Sequence, residues 1–256
     1  VGSEMCIRDS NASGVTWREA ADAAYDMIEY ADNGDFYRLY EDPTTPEKSY
    51  TRLFNTRANG EVIMGFLRAP ANDLYGMMPA FDPWNVNKEL LTCPNQWLVD
   101  CYDMLDGSQP ILGYESNTKA IINPNSGYNV NSPYANRDPR LAQTIRTPGY
   151  IRPGETKQSG PNFSSAMTGY HLIKYSGATK YDVGDTSEND FPIFRTAEVF
   201  LNYVEAKAER GTLEQNDIDR TIKLIRDRVG MPNLNMSDAN TCLLYTSPSP
   251  RDRTRS

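Results

Sequence analysis

His171 is the only histidine in 256 residues, so any chemistry that depends on imidazole, from nucleophile activation to clustered metal ligation, would rest on one side chain. That favours a structural or surface role for it. Cys93 and Cys101 have no further Cys or His at ligand spacing, which makes neither a zinc site nor a disulfide framework, and both read as buried small hydrophobes. Carboxylates are plentiful but unmarked: a glycoside hydrolase needs two of them about 5–9.5 Å apart across the bond it cleaves, and nothing in the sequence singles out such a pair. In N136-RDPR, Asp138 with Arg137 and Arg140 reads as a tie between a loop and its scaffold, while Arg195 and Glu198 read as an ion pair or cap contact. The side chains that remain are flat aromatic surfaces: Tyr75, Phe81 and Trp84 in the proline-broken Y75-GMMPAFDPWN, Tyr128 and Tyr134 beside Asn129 and Asn131, and Trp97. No metal ligand set or cofactor motif accompanies them.

The two ends of the chain bear on which residues count. VGSEMCIRDS at 1–10 and CLLYTSPSP at 242–250 back-translate to opposite strands of one oligonucleotide, the adapter end of transposase-based sequencing libraries. Residues 1–10 and 242–256 therefore read as non-native flanks, and 11–241 as a partial domain truncated at both ends. The whole chain carries a net charge of −8; without the four arginines and three acids of the flanks, 22 basic and 31 acidic residues leave −9. Such a body disfavours nucleic acid or an anionic bilayer as partner and suits a neutral ligand. No apolar run approaches the roughly 20 residues of a membrane span.

Positioning elements are legible at the ends. Thr16 followed by Glu19 fits a capping box, and Ala20, Ala24, Met27, Ile28 and Ala31 share one helical face before Gly34. In R195-TAEVFLNYVEAKAERG, Ala197, Phe200, Leu201, Val204 and Ala208 form a stripe that stops at Gly211. In D217-IDRTIKLIRDRVGMP, Ile218, Ile222, Ile225 and Val229 form another, with Asp217 as N-cap, Gly230 past the end and Pro232 beyond. The pair predicts a hairpin like that of a tetratricopeptide repeat. Between them the Pro, Gly, Asn and Ser content predicts long loops with an extended piece over 61–68, a helix over 96–105 and a strand over 169–175. The fold class expected is mostly α: TPR-like helical hairpins as a scaffold, with a loop-rich central region carrying a few short strands.

F191-PIFRTAEVFLNYVEAKAERG followed by I225-RDRVGMP resembles the C-terminal signature of the SusD/RagB family, and the upstream segments W17-REAADAAYDMI, Y50-TRLF, E61-VIMGF, C93-PNQWLVDCYDMLDG, N136-RDPRLAQTI and T168-GYHLIKY keep the family's order. The resemblance implies a glycan-binding lipoprotein on the outer-membrane surface that captures oligosaccharides without cleaving them and forms a lid over a SusC-like TonB-dependent transporter. Its lipid anchor would lie outside 11–241, and neither Cys6 nor Cys242 is read as that anchor.

For such a ligand, aromatic rings stack on the apolar face of a sugar and planar polar groups hold its hydroxyls. Trp84 is then the leading candidate, with Tyr75 and Phe81 in the same stretch, Tyr128 and Tyr134 as a second rim, and Trp97 beyond them; Trp17 reads as core. No cofactor, nucleic acid or catalytic residue is expected. The alternatives are a glycoside hydrolase and a TPR-type adaptor that grips a peptide.

Overall fold

The computed structural model describes residues 16–33, 37–66, 93–116, 119–160, 166–178 and 190–236. Both flanks and the stretch holding Tyr75, Phe81 and Trp84 lie outside the described residues.

Helix α1 spans Trp17–Asn33. Its start is the predicted box: the Glu19 carboxylate accepts the Thr16 N–H at 2.7 Å and the Thr16 hydroxyl accepts the Glu19 N–H at 3.3 Å. Ala20, Ala21, Ala24 and Ile28 are buried against Ala197, Phe200, Val204 and Ala206 of α5, a helix that spans Thr196–Glu209. Small side chains on both helices let the backbones approach closely, and Trp17 and Met27 pack on the edge of the same core. Arg220 ties the far end of α1 down through Glu29 at 2.7 Å and Asp32 at 2.6 Å.

The predicted final helix is two. α6 covers Gln215–Asp219 and α7 covers Ile222–Asp227. Its N-cap is Glu214 rather than Asp217, because the Asp217 carboxylate reaches back to the Glu214 N–H at 2.9 Å and takes the Tyr203 hydroxyl at 2.7 Å. The break falls at Thr221, fully buried, whose hydroxyl donates to the Asp217 carbonyl at 2.6 Å and so occupies the acceptor that its own amide would use in a continuous helix. Ile218, Ile222 and Ile225 nevertheless enter one core with α1 and α5. Replacing the hydroxyl with a methyl group in Thr221→Val is expected to lower stability by about 1 kcal/mol; an unchanged urea midpoint would show that the break does not need this hydrogen bond.

The central region is built of short pieces. A 3-10 turn at Pro46–Lys48 leads into α2 (Ser49–Leu53), followed by β1 (Val62–Phe66), α3 (Gln96–Asp100), β2 (Ile111–Ser116), β3 (Lys119–Ile122), α4 (Pro139–Thr144), β4 (Tyr150–Ile151), β5 (Gln158–Ser159) and β6 (Phe191–Arg195). The strands form three antiparallel ribbons, β1 with β6, β2 with β3 and β4 with β5. The architecture is thus mostly helical, with short strands confined to a loop-rich centre.

Two local expectations are corrected. The helix predicted over 96–105 ends at Asp100, since the Met104 and Leu105 amides donate to Ser108 and Asn136 carbonyls at 2.8 and 2.7 Å, and Arg137 takes the Val99 carbonyl at 2.7 Å. The strand predicted over 169–175 is an isolated bridge between Ile145 and Leu172, and Tyr175 turns out of extended geometry at φ 69°.

One buried charge joins the parts. Glu61, with no solvent exposure, meets Arg195 at 2.7 Å and Arg228 at 2.5 Å and accepts the Tyr40 N–H at 2.8 Å. Arg195 therefore pairs across the β1–β6 ribbon with Glu61, where the sequence placed Glu198 beside it.

Candidate functional site

Two loops, a strand and one short helix bring aromatic and planar polar groups together. The Asn95 side chain caps α3 by accepting the Leu98 N–H at 2.9 Å. One turn of helix then sets Gln96 and Asp100 on one face, where the Gln96 amide donates to Asp100 Oδ1 at 2.8 Å. Asp100 Oδ2 accepts the Tyr114 hydroxyl from β2 at 2.6 Å. On the other side, the exposed Tyr170 hydroxyl donates to Gln96 Oε1. A relay thus runs from Tyr114 through Asp100 and Gln96 to Tyr170.

The turns of 123–136 deliver two more rings. Asn123 and Asn129 side chains accept the amides two residues on, at 3.0 and 2.9 Å, which closes tight turns without regular structure. Tyr134 packs with Tyr102 and Tyr170 against a small core of Val99, Leu141 and Ile145. Burial raises the pKa of Tyr128, Tyr134 and Tyr170; Tyr128 adds to the rise at Tyr134, and Tyr134, Asp100 and Tyr128 add to it at Tyr170. Tyr134 and Tyr170 share that small core, and Tyr128 stands over Arg137, whose guanidinium takes the Val99 carbonyl of the same core, so the three half-buried rings gather in one patch.

Arg137 holds the patch from beneath. It is buried, donates to the carbonyls of Val99 and Tyr102 at 2.7 Å and Pro133 at 2.8 Å, and sets its guanidinium 5.2 Å from the centre of the Tyr128 ring. Its charge is committed to the scaffold. Asp138 caps α4 through the Arg140 amide and pairs with the Arg140 side chain at 2.5 Å. The N136-RDPR cluster is therefore the tie that the sequence led one to expect.

Trp97 is half-buried on α3, next to Gln96. Tyr75, Phe81 and Trp84 lie outside the described residues. His171 is buried, and burial together with Arg146 lowers its pKa. Cys93 and Cys101 form no disulfide, and Cys101 is exposed rather than buried because α3 ends before it. A separate cavity of about 410 Å³ lies between the end of α2 and the β1–β6 ribbon, walled by Leu53, Ala58, Ile63 and Pro192 among others, without a tyrosine. Among the described residues no group of three or more His, Cys, Asp or Glu is placed to hold a metal ion, and no helix is long and apolar enough to cross a membrane. Sequence reasoning missed Gln96, Asp100, Tyr114 and Tyr170. Only the Gln96–Asp100 spacing of four, which pairs side chains on a helix, was there to be read.

Residues 40–249 match the SusD family. Comparison with curated proteins finds no match. The chain is similar in fold to a SusD-like protein from Bacteroides fragilis NCTC 9343, with 21% identity and a TM-score of 0.58, over 93% of this chain and 49% of that one. It is also similar to a SusD-like carbohydrate binding protein from the same organism, with 21% identity and a TM-score of 0.56, over 90% of this chain and 45% of that one. The chain thus spans about half the length of the solved structures it matches.

Proposed function

Because the chain belongs to the SusD family, we propose that it binds oligosaccharides at the tyrosine patch, leaves them uncleaved and passes them to a SusC-like TonB-dependent transporter. In this reading the whole protein is held on the outer-membrane surface by a lipid anchor.

The observation that carries the reading is the meeting of Tyr128, Tyr134 and Tyr170 with the Gln96–Asp100 pair. Rings offer a sugar their faces, and the amide and hydroxyls meet its OH groups. At roughly 0.5–1.5 kcal/mol per aromatic contact, two or three rings with a few hydrogen bonds give micromolar to millimolar affinity. Cargo held that loosely can be handed on. Trp97, half-buried next to Gln96 on α3, and Trp84, Tyr75 and Phe81 are proposed as further contributors.

A glycan array followed by calorimetry on its hits tests this. Tyr128→Ala, which removes a ring at the surface of the patch, is expected to weaken binding roughly 2- to 13-fold; unchanged affinity would remove Tyr128 from the site. Trp84→Ala reports on the second stretch in the same way. Incubation of the hits with the protein should release no reducing ends, and steady release would favour the hydrolase reading instead. Co-purification of the full-length protein from outer membranes tests the transporter.

A further inference from the structure

The relay through Asp100 has a polarity that is set by chemistry rather than by packing. A carboxylate accepts hydrogen bonds and donates none. Asp100 takes one from the Tyr114 hydroxyl and one from the Gln96 amide nitrogen. Gln96 must therefore point its NH2 group at Asp100 and its carbonyl oxygen the other way, toward Tyr170. The Tyr170 hydroxyl, facing that carbonyl, turns its only proton inward. To anything arriving from solvent, Tyr170 then presents lone pairs.

Among the described residues, the cations beside the patch are engaged by the protein itself. Arg137, the nearest, directs its terminal nitrogens to three backbone carbonyls. Arg140 is paired with Asp138. Asp100, which also acts electrostatically on Tyr170, is a carboxylate.

We propose that Asp100 is the positioning residue that makes this patch select hydroxyl-donating, uncharged sugars over uronate or sulfated ones, by fixing the Tyr170 proton inward through Gln96. The inference rests on the glycan-binding reading above. A neutral sugar ring donates its OH groups to the Tyr170 oxygen, whereas a carboxylate or sulfate brings only acceptors to an acceptor and sits near the Asp100 charge. Asparagine at 100 would reverse the relay. With its oxygen toward Tyr114, its NH2 group faces Gln96, whose amide must flip to offer its oxygen; the Gln96 NH2 group then faces the Tyr170 oxygen and sends that hydroxyl's proton outward.

The test uses the full chain, the tightest neutral hit of a glycan array that also carries uronate and sulfated glycans, and that same neutral glycan oxidised at C6 to uronate. The wild-type protein is expected to bind the neutral form at least about tenfold more tightly than the oxidised one. Asp100→Asn is expected to narrow that ratio toward unity. Tyr170→Phe, which keeps the ring and removes the switched hydroxyl, is expected to weaken neutral binding and to abolish the effect of Asp100→Asn on the ratio. A merely structural role for Asp100 would weaken both glycans alike and leave the ratio intact, which overturns the proposal, as do equal wild-type affinities or an array dominated by anionic hits. Binding of no glycan at all overturns the underlying reading and this inference with it, and is distinguishable from failure of the inference alone by the absence of any neutral hit.

Discussion

Glu61→Gln is expected to destabilise the fold by about 3–5 kcal/mol, the cost of removing one partner from a buried ion pair. The carboxylate sits at zero exposure where four stretches of chain meet: the loop of Tyr40, the start of β1, the Arg195 end of β6 and Arg228 after α7. Glutamine keeps the shape but offers one acceptor oxygen in place of two, so its NH2 group must face either Arg195 or Arg228 together with the Tyr40 amide, all of them donors. The two arginines do not suffer equally. Arg195 retains 23% side-chain exposure and can turn to water, whereas Arg228 has 2% and is left charged and unpaired. For a domain of this size the loss corresponds to a fall in Tm of roughly 6–20 °C, measured by calorimetry or circular dichroism. An unchanged Tm would mean that the junction contributes little and that the β1–β6 ribbon holds without it.

That junction also shows where reading the sequence stops. Glu61 and Arg195 are separated by 134 positions and Glu61 and Arg228 by 167, so nothing local announces either pair; Glu198, three positions from Arg195, is the only acid that proximity could suggest. Helices α1 and α5 were legible because their signals are local, a capping box at Thr16 and Glu19 and apolar residues at helical spacing, although in α5 Leu201 is exposed and Tyr203 and Ala206 line the buried face. The stripe through Ile218, Ile222 and Ile225 was also read correctly as one buried face. Its division at Thr221 was not, because a single hydroxyl turned toward the Asp217 carbonyl decides it.

The candidate site divides in the same way. Tyr128 and Tyr134 could be picked out as aromatics in a turn-rich stretch, and the structure sets Tyr134 on the small core of Val99, Leu141 and Ile145 and Tyr128 over Arg137 beside it. Tyr170 stands 74 positions from Gln96 and enters through a loop that carries only a bridge at Leu172. Asp100 looked like one more residue of a long helix, and its role became visible only with the helix ending there and Tyr114 folded back onto it.

Arg137→Met should damage both stability and binding, and for one cause. Three carbonyls from two parts of the chain, Val99 and Tyr102 at the end of α3 and Pro133 in the turn before Arg137, converge on this one guanidinium. Burial lowers its pKa, while Tyr128, Asp100, Asp103 and Asp138 oppose that shift and favour the charge. Methionine fills much of the space but donates nothing, and each carbonyl left unsatisfied costs about 1–3 kcal/mol, less where water enters. A total near 3–4 kcal/mol is expected, read from the urea midpoint. Below the lowered Tm, glycan affinity should still fall, because the turn that carries Tyr128 and Tyr134 loses its side-chain tie to the helix that carries Gln96 and Asp100 and is held by backbone bonds such as Leu105 to Asn136. Arg137→Lys separates the two effects of the side chain: it retains the charge but lacks the planar fork that reaches several carbonyls at once, so it should recover only part of the stability. Full recovery by lysine would mean that charge over the Tyr128 ring, rather than the grip on three carbonyls, is what holds the patch in place.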